Sequence, residues 1–408
     1  MARVLPPCAA LLLGAVTAFA LVACGGENQP RLLFSSYSSQ DRPGLYSVRA
    51  DGSDLTQVAA LKVEGLAYPR VPSPDGTRLA FPCRPDGQQS LPETDLCLSA
   101  PDGSNAQVVT RGKLPESSVV GAGIAWAPDS RLVVFCTSDV YVLDADSGEV
   151  RRLVVGTPGV PIGGPQWSPD GSHLAILAAD TALEVADLND GAVVNVAEPL
   201  AGQTSIDQFA WSPDSSAIAF VRNTFPAPAG SVNLYSVAPD GSNLREFPGI
   251  PGAPIRPVWS PDGHWLAVPA APPEGGFARI YLVPVSGGEP TLLAPSLVLS
   301  DYPAWSPNSA QLAFEGAETA PNPNAFPPFA LYVADVESGE LRQVAADLQP
   351  FPLITWSPDG RHVLFTSQGG PCVEGCPPGL LFSVPADGSA SPVQVTDFRV
   401  NTFVGWRP

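Results

Sequence analysis

The feature that most constrains this chain is a five-residue motif that returns along nearly its whole length. It is complete as Trp356-Ser-Pro-Asp-Gly360, and related copies begin at Trp126, Trp167, Trp211, Trp259 and Trp305. A copy without tryptophan begins at Val71, and a fragment, Trp406-Arg-Pro408, ends the sequence. Neighbouring copies begin 41 to 55 residues apart. A period of this size, with strand-like segments in every unit, is typical of a β-propeller.

The chemistry of the motif predicts how each unit turns. Serine at the first turn position, proline at the second and glycine at the fourth favour a type I turn. An alternating apolar segment follows, as in Leu79-Ala-Phe81, and a period of two predicts a strand. A third segment such as Leu234-Tyr-Ser-Val237 and a hairpin turn such as Asp240-Gly241 complete a four-stranded antiparallel unit. We therefore interpret the motif as a packing and turn device rather than as a binding motif.

The two ends of the chain hold complementary parts of one unit. Residues 31–61 contain segments for strands two, three and four, whereas residues 400–408 contain a segment for strand one alone. Together they predict a blade shared by both ends, which would close the ring. The predicted fold class is all-β, a single β-propeller of about eight four-stranded blades. Seven blades is the alternative, if the weak unit at 163–198 is misread.

The motif, together with the Leu-Tyr-x-Val segments and their Asp-Gly turns, resembles the TolB-type repeats, also called PD40 or WD40-like repeats. The resemblance covers residues 31–408. It implies a propeller fold but is less specific for function, because the family includes envelope scaffold proteins, the propellers of prolyl-oligopeptidase-like peptidases and some lyases. TolB itself has six such blades after a separate α/β domain, and this sequence shows neither feature.

The N-terminal segment differs from the rest of the chain. Arg3 precedes an apolar stretch, and Leu21-Val-Ala-Cys24 resembles the lipobox of a bacterial lipoprotein signal peptide. The resemblance implies cleavage before Cys24 and attachment of a diacylglycerol to its thiol. The predicted organisation is a signal peptide over 1–23, a lipidated tether over 24–30 and the propeller over 31–408. An ordinary secretory signal and an uncleaved anchor helix are the alternatives.

The charge balance limits the partners of the chain. It has 21 Lys and Arg residues against 40 Asp and Glu, a formal net charge of −19. Such a body repels phosphate, and no basic cluster alternates with aromatic residues, so nucleic acid is excluded as a partner. We expect a monomer held by its lipid on the extracytoplasmic side of the cell membrane or outer membrane. Its expected partner is a protein or glycan at the cell envelope.

Five cysteines lie beyond the predicted lipidation site, and export would allow them to oxidise. Cys83 ends one predicted strand and Cys97 lies on the next, so the two could form a bridge. Cys372 and Cys376 share one loop and are a second candidate pair, and Cys136 is expected to be a buried thiol. No metal site and no cofactor are predicted, because the cysteine pairs are far apart in sequence and have no histidine nearby.

The strand order predicts two different faces. Short turns between strands one and two, and between three and four, share one face, where their aspartates would form an acidic collar; we interpret these as turn residues. Longer connections between strands two and three lie on the other face and include aromatic residues expected to be exposed, such as Phe277 and Phe329. A ligand site is expected on that face near the central channel. Its candidate residues are Tyr68, Arg70, Asp207, Gln208, Arg256, Asp301, Tyr302 and Asn401.

Catalytic motifs are scarce in this sequence. His173, His264 and His362 follow the turns of different units, so they cannot share a metal ion, and no Gly-x-Ser-x-Gly elbow is present. The sequence therefore predicts a non-enzymatic lipoprotein whose propeller is a scaffold for protein or ligand binding at the cell envelope. The alternatives are a propeller-based lyase or glycosidase that uses carboxylates at the channel mouth, and a sensor of an extracellular ligand.

Overall fold

The protein is an all-β ring of eight sheets. The computed structural model describes residues 29–36, 44–60, 71–83, 95–114, 123–137, 139–154, 163–178, 182–198, 204–224, 232–272, 277–299, 303–318, 329–348, 353–367, 379–400 and 402–407. Every regular element in these ranges is a strand, and the strands form eight antiparallel sheets. The prediction of an eight-bladed propeller is confirmed. The seven-blade alternative is wrong, because the weak unit at 163–198 forms a complete blade.

We number the blades from the N-terminus, and their strands are as follows. Blade 1 contains β1 (Arg31–Ser36), β2 (Gly44–Arg49), β3 (Thr56–Ala60) and, from the end of the chain, β34 (Thr402–Arg407); blade 2 contains β4 (Val71–Pro72), β5 (Leu79–Cys83), β6 (Asp95–Ser99) and β7 (Gln107–Val108). Blade 3 contains β8 (Ile124–Trp126), β9 (Leu132–Cys136), β10 (Val140–Asp144) and β11 (Val150–Val154); blade 4 contains β12 (Gly163–Trp167), β13 (His173–Leu177), β14 (Leu183–Asp187) and β15 (Val193–Ala197).

The second half of the ring repeats the plan. Blade 5 contains β16 (Thr204–Trp211), β17 (Ile218–Thr224), β18 (Asn233–Val237) and β19 (Arg245–Phe247); blade 6 contains β20 (Ala253–Pro254), β21 (Val258–Trp259), β22 (Trp265–Ala271), β23 (Arg279–Pro284) and β24 (Thr291–Leu293). Blade 7 contains β25 (Leu297–Leu299), β26 (Ala304–Trp305), β27 (Gln311–Glu318), β28 (Phe329–Asp335) and β29 (Leu341–Leu348); blade 8 contains β30 (Ile354–Trp356), β31 (His362–Ser367), β32 (Leu380–Pro385) and β33 (Val393–Arg399). In blades 6 and 7 the first strand is divided into two short pieces that both pair with the second strand.

The four strands of each blade lie side by side, with the first strand nearest the axis of the ring and the fourth at its rim. First strands of neighbouring blades contact each other, as β8 contacts β12 and β26 contacts β30. Second and third strands are largely buried, whereas fourth strands such as β3 and β33 are mostly exposed. We call the face with the one-to-two and three-to-four connections the turn face. The opposite face, with the two-to-three connections and the connections between blades, is the loop face.

Blade 1 closes the ring by joining the two ends of the chain. Strand β34 pairs antiparallel with β1, with Leu32 opposite Trp406 and Phe34 opposite Phe403. Leu32 and Phe34 are fully buried and belong to a cluster that also contains Leu364 of blade 8. The prediction that the first and last segments share one blade is therefore confirmed.

The tryptophan of each motif seals the seam to the preceding blade. Its indole Nε1 donates to the backbone carbonyl of the residue just before the preceding motif tryptophan, at 2.9 Å from Trp356 to Ala304. The same bond, at 2.9–3.1 Å, joins Trp126 to Val71, Trp167 to Ala125, Trp211 to Gln166, Trp259 to Ala210 and Trp305 to Val258. These six tryptophans therefore both fill the space between sheets and tie neighbouring first strands together.

The seam between blades 1 and 2 has no motif tryptophan to donate this hydrogen bond. The sequence copy was counted from Val71, but Pro72 occupies the tryptophan position, because Val71 supplies the carbonyl that Trp126 binds and Pro72 pairs with Leu79. The starting residue inferred for this copy was therefore wrong by one. The described apolar residues here form two separate clusters, one in each blade, whereas other seams carry one shared cluster.

A disulfide lies in blade 2, beside that seam. Cys83 and Cys97 are joined across β5 and β6, with their Cα atoms 5.8 Å apart. This agrees with the bridge expected between adjacent strands. The other candidate pair, Cys372 and Cys376, lies outside the described residues, as does Cys24.

Removing the Cys83–Cys97 bridge is expected to cost stability. The crosslink closes a segment of 14 residues, and loops of about this length are worth about 3 kcal/mol of chain entropy in the unfolded state. The double variant Cys83→Ala/Cys97→Ala should lose about that much free energy of unfolding in urea titrations. As a control, Cys136→Ala keeps the bridge and should retain the sensitivity of the protein to reducing agent. A double variant within about 1 kcal/mol of the natural chain would contradict a stabilising role.

Candidate functional site

The turn face is built from hydrogen bonds internal to each turn. In blade 8 the Ser357 hydroxyl donates to Asp359 Oδ1 at 2.6 Å and accepts the His362 N–H at 2.9 Å, while the Arg361 N–H donates to Asp359 Oδ1 at 3.0 Å. The serine donates in the same way to the motif Asp or Asn in the pairs Ser73–Asp75, Ser168–Asp170, Ser212–Asp214, Ser260–Asp262 and Ser306–Asn308. The aspartates of the acidic collar are thus used as turn residues.

Asp144 shows how strongly such a turn holds its carboxylate. Its Oδ1 accepts the N–H groups of Ser147 and Asp146 at 2.9 and 3.0 Å, and its Oδ2 accepts Arg131 Nε and Nη2 at 2.9 and 2.6 Å. The Ser147 N–H, followed by the Arg131 guanidinium, lowers the pKa of Asp144 to about 2. The carboxylate therefore stays ionised throughout the physiological pH range.

The lowered pKa of Asp144 predicts a pH-dependent contribution to stability. A carboxyl group whose pKa is lower in the folded state stabilises fully above its unfolded pKa, and this stabilisation is lost as the pH falls through the folded pKa. Asp144→Asn should therefore cost about 1 kcal/mol at pH 7, and the gap to the natural chain should narrow as the pH falls from about 4 towards 2. Urea titrations at pH 7, 4 and 3 measure this gap. A gap that stays constant with pH would contradict the assignment.

The predicted ligand-binding residues of the loop face divide into those outside and those within the described part of the chain. Tyr68, Arg70, Asp301, Tyr302 and Asn401 lie outside the described residues. The backbone of Asp207 lies on β16, but its side chain is not described. Gln208 on β16 and Arg256 beside β21 are described and half-buried, and they lie on the neighbouring blades 5 and 6. Among the described residues, these two candidates thus lie on adjacent blades.

Four buried charged residues at the loop-face ends of strands were missed by the sequence analysis. Arg222 on β17 is 8% exposed; its Nη2 donates to the Glu198 carbonyl at 2.9 Å, and its guanidinium lies 4.8 Å from the ring centre of Tyr235. The other three are Asp95 and Asp139 at the starts of third strands and Glu315 on β27. A charged residue within an otherwise apolar strand, as in Ile218-Ala-Phe-Val-Arg222, was the signal that could have found them.

The aromatic residues of the loop face are less exposed than predicted. Phe329 is 1% exposed and Phe277 is half-buried, with their rings in edge contact at 5.7 Å. The prediction that both are exposed was wrong, because they pack against each other across the seam between blades 6 and 7. They help to fix the start of β28 rather than offer a free apolar surface.

The nucleophilic and metal-binding side chains are dispersed. Burial raises the pKa of the Cys136 thiol to about 12, so it is protonated at neutral pH and a poor nucleophile. His173, His264 and His362 lie in blades 4, 6 and 8. Within the described ranges, no three His, Cys, Asp or Glu side chains form a group that could hold a metal ion. Nor do those ranges contain a helix long and apolar enough to cross a bilayer.

Comparison with known families decides the relationship of the chain. Residues 76–314, more than half of the sequence, match PD40, the TolB beta propeller domain. The chain belongs to this family. The resemblance inferred from the repeated motif is therefore confirmed.

Known proteins similar to this PD40 chain carry different functions. It is 31% identical over 161 residues to a protein TolB homolog of Chlorobium chlorochromatii, covering 37% of the chain and 31% of that protein. It is 24% identical over 321 residues to dipeptidyl-peptidase 5 of Porphyromonas gingivalis, covering 74% of the chain and 43% of the peptidase. The crystal structure of dipeptidyl peptidase 4 from the same organism shares the fold, with a TM-score of 0.63 at 12% identity, over 93% of this chain and 60% of that one.

These relatives correct the prediction about enzymatic activity. The sequence analysis predicted a protein that is not an enzyme, and this is contradicted, because two curated relatives are named as peptidases: dipeptidyl-peptidase 5 and an uncharacterized peptidase of Bacillus subtilis, 25% identical over 219 residues. The reason for the error is physical: the repeated motif specifies turns and seams, and it carries no information on residues placed on a blade for chemistry. The PD40 chain spans between 30% and 43% of the length of the curated relatives it matches.

Proposed function

We propose that this PD40 chain is an exported, lipid-anchored propeller that binds polypeptide segments across its loop face. The observation that carries the proposal is the difference between the two faces. Turn-face connections are short and bonded within themselves, as in residues 357–361. Loop-face connections include the long segments 84–94 and 368–379 between second and third strands. Variable connections on one face of a repeat fold are where binding residues commonly lie.

Two observations support export. Leu21-Val-Ala-Cys24 has the form of a lipobox, and Cys83 and Cys97 form a disulfide, a bond that persists in oxidising compartments outside the cytoplasm. A polypeptide as ligand is supported by the relatives named as peptidases, which act on polypeptides. Arg222 and Glu315 are buried polar residues on the second strands of blades 5 and 7, and Gln208 and Arg256 are half-buried residues of blades 5 and 6.

The binding part of the proposal is tested with peptides. The full chain is immobilised and exposed to a chymotryptic digest of envelope proteins, and mass spectrometry quantifies each retained peptide. Gln208→Ala/Arg256→Ala should lower the retention of a defined peptide set about tenfold. Asp102→Asn on the turn face is the matched control and should leave that set unchanged, because asparagine can still accept the Ser104 N–H. Equal retention by both variants and the natural chain would refute loop-face binding.

The anchoring part is tested separately at Cys24. In a bacterial host, the natural chain should incorporate labelled palmitate and remain in the membrane fraction. Cys24→Ser should lose the label and leave the membrane fraction, because the variant has no thiol at this position to receive the diacylglycerol. Label that persists in Cys24→Ser would refute lipidation at this residue.

A further inference from the structure

Basic side chains bridge neighbouring blades on the turn face. Arg151 of blade 3 donates from Nη2 to the Leu188 carbonyl of blade 4 at 2.8 Å. Arg245 of blade 5 donates from Nη1 to the Val285 carbonyl of blade 6 at 2.5 Å. In both cases the acceptor lies in the connection after the third strand of the next blade. The guanidinium therefore closes the outer part of the seam.

The arginines occupy one repeat position, which blade 4 fills differently. The position lies on the fourth strand, and its partner on the third strand is the residue that directly follows a tyrosine. Arg151 pairs with Val142, Arg245 pairs with Ser236 and, in blade 7, Arg342 pairs with Val333. In blade 4 the same register pairs Val194 with Val185. Val194 is 37% exposed, and a valine cannot donate a hydrogen bond.

A cavity of about 480 Å³ lies at this seam, between blades 4 and 5. Val185 and Val194 provide apolar walls on the blade 4 side, and Ala238 and Pro239 provide them on the blade 5 side. By the repeat register, Pro239 corresponds to Leu188 and Val285, whose carbonyls accept arginine in the other seams. The cavity therefore contains the position of the acceptor but has valines where the donor would be.

The equivalent carbonyl receives a side-chain donor in another seam by different means. Between blades 8 and 1, the fourth-strand position is Val393, but the third-strand Ser383 hydroxyl donates to the Ala50 carbonyl at 2.6 Å. Blade 4 has Val185 in place of that serine. In blade 4, therefore, neither the fourth-strand residue Val194 nor the third-strand residue Val185 can donate a hydrogen bond to the Pro239 carbonyl.

Two carboxylates line the same cavity. Asp187 of blade 4 accepts the Asn189 N–H at 2.7 Å, and Asp240 of blade 5 accepts the Ser242 N–H and hydroxyl at 2.9 and 2.6 Å. These hydrogen bonds lower the pKa of both groups, so both are ionised at neutral pH. No Lys or Arg is among the residues that line the cavity; the basic side chain there is His173, whose Nε2 lies 3.9 Å from Asp187 Oδ2. The charge and shape complement a guanidinium on an aliphatic stem.

We propose that this groove between blades 4 and 5 binds an arginine side chain of a partner polypeptide. The guanidinium donates to the Pro239 carbonyl and pairs with Asp187 and Asp240, and the methylene groups pack on Val185 and Val194. A partner thus supplies in trans the arginine that blades 3 and 5 supply from their own strands. The groove lies on the turn face, opposite the proposed loop-face site, so the two proposals fail independently.

The test uses methyl NMR of the full chain titrated with N-acetyl-L-arginine methylamide. We expect saturable shifts of the Val185 and Val194 methyl signals with a dissociation constant of roughly 1–10 mM, and no saturable shifts with the uncharged citrulline analogue. Asp240→Asn, which can keep its turn, should weaken binding about fivefold. Free L-arginine binding more tightly than the blocked form would overturn a polypeptide as the source. Absence of saturable shifts would overturn the site.

Val194→Arg provides the decisive variant. It should fill the groove from within, abolish the methyl shifts at Val185 and raise the melting temperature by about 1–2 °C. The matched control is Val393→Arg at the same repeat position of blade 8, where the carbonyl of Ala50 already has a donor. That control should leave probe binding unchanged and give no such rise. Probe binding that survives in Val194→Arg would overturn the proposal.

Discussion

Deleting residues 402–408 is expected to destroy the cooperative unfolding of the ring. The deletion removes β34, which is the first strand of blade 1 and pairs with β1 from Arg31 to Ser35. It uncovers Leu32 and Phe34, both fully buried, and leaves the edge of β1 without a partner. The lost burial and pairing are worth more than about 5 kcal/mol, and an open apolar edge promotes association.

Circular dichroism during thermal unfolding, together with size-exclusion chromatography, measures the effect of this deletion. We expect a melting temperature lowered by more than about 10 °C, together with oligomers or aggregates. The matched control removes Pro408 alone, which lies beyond the end of β34, and should melt within about 1 °C of the natural chain. A monomeric deletion variant that unfolds like the natural chain would show that the ring does not depend on this closure.

Trp356→Ala is expected to cost about 3–5 kcal/mol, the range for truncating a large buried aromatic side chain. The Trp356 side chain is 4% exposed and packs with Ala313 of blade 7 and Val363 of blade 8. Trp356→Phe keeps most of the apolar contact but removes the indole N–H that donates to the Ala304 carbonyl. It should cost about 1–2 kcal/mol, because that carbonyl loses its donor.

Free energies of unfolding from urea titrations separate the two effects of Trp356. Trp265→Phe is the control, because Trp265 is a half-buried tryptophan outside the repeated motif and forms none of the seam bonds. Its cost should stay below about 1 kcal/mol. Equal costs for Trp356→Phe and Trp265→Phe would show that the seam hydrogen bond contributes nothing.

The repeated motif predicted the ring because its own chemistry builds it. Ser357 and Asp359 bond within their turn, and Trp356 bonds to the preceding blade, so local sequence and global fold agree at the same residues. The two terminal fragments predicted closure of the ring, because residues 31–61 contain strands two to four of a blade and residues 400–408 contain its first strand. The error at Val71 arose where the tryptophan is missing; the strand register identifies Pro72 as its equivalent, and so does the alignment of Ser73-Pro-Asp-Gly76 with the other turns.

The binding surfaces were harder to predict from the sequence. Connections on the loop face carry no period, so nothing in the sequence says which side chains meet there. Phe329 is buried by a residue from another blade, a contact that no local pattern encodes. The groove at Val194 is visible only by comparison with Arg151 and Arg245 in the aligned strands.

Enzymatic activity illustrates the same limit. The absence of a familiar catalytic motif suggested a protein without catalysis, yet relatives similar to this chain in sequence are named as peptidases. Turn and seam residues such as Trp356 are required by the fold whatever the function is. Inference about function must therefore rest on residues that depart from the repeat, such as Arg222 or Val194.

Closure of the ring by its two ends is tested most directly by a designed crosslink. Ser35 and Thr402 are paired residues on β1 and β34, so Ser35→Cys/Thr402→Cys should form an intramolecular disulfide, identified by peptide mapping of the oxidised monomer. Ser36→Cys/Thr402→Cys is the control and should not crosslink, because successive side chains on a strand point to opposite sides. A 35–402 crosslink within one chain is the predicted result; its absence, or a crosslink formed only between two chains, would contradict the closed eight-bladed ring.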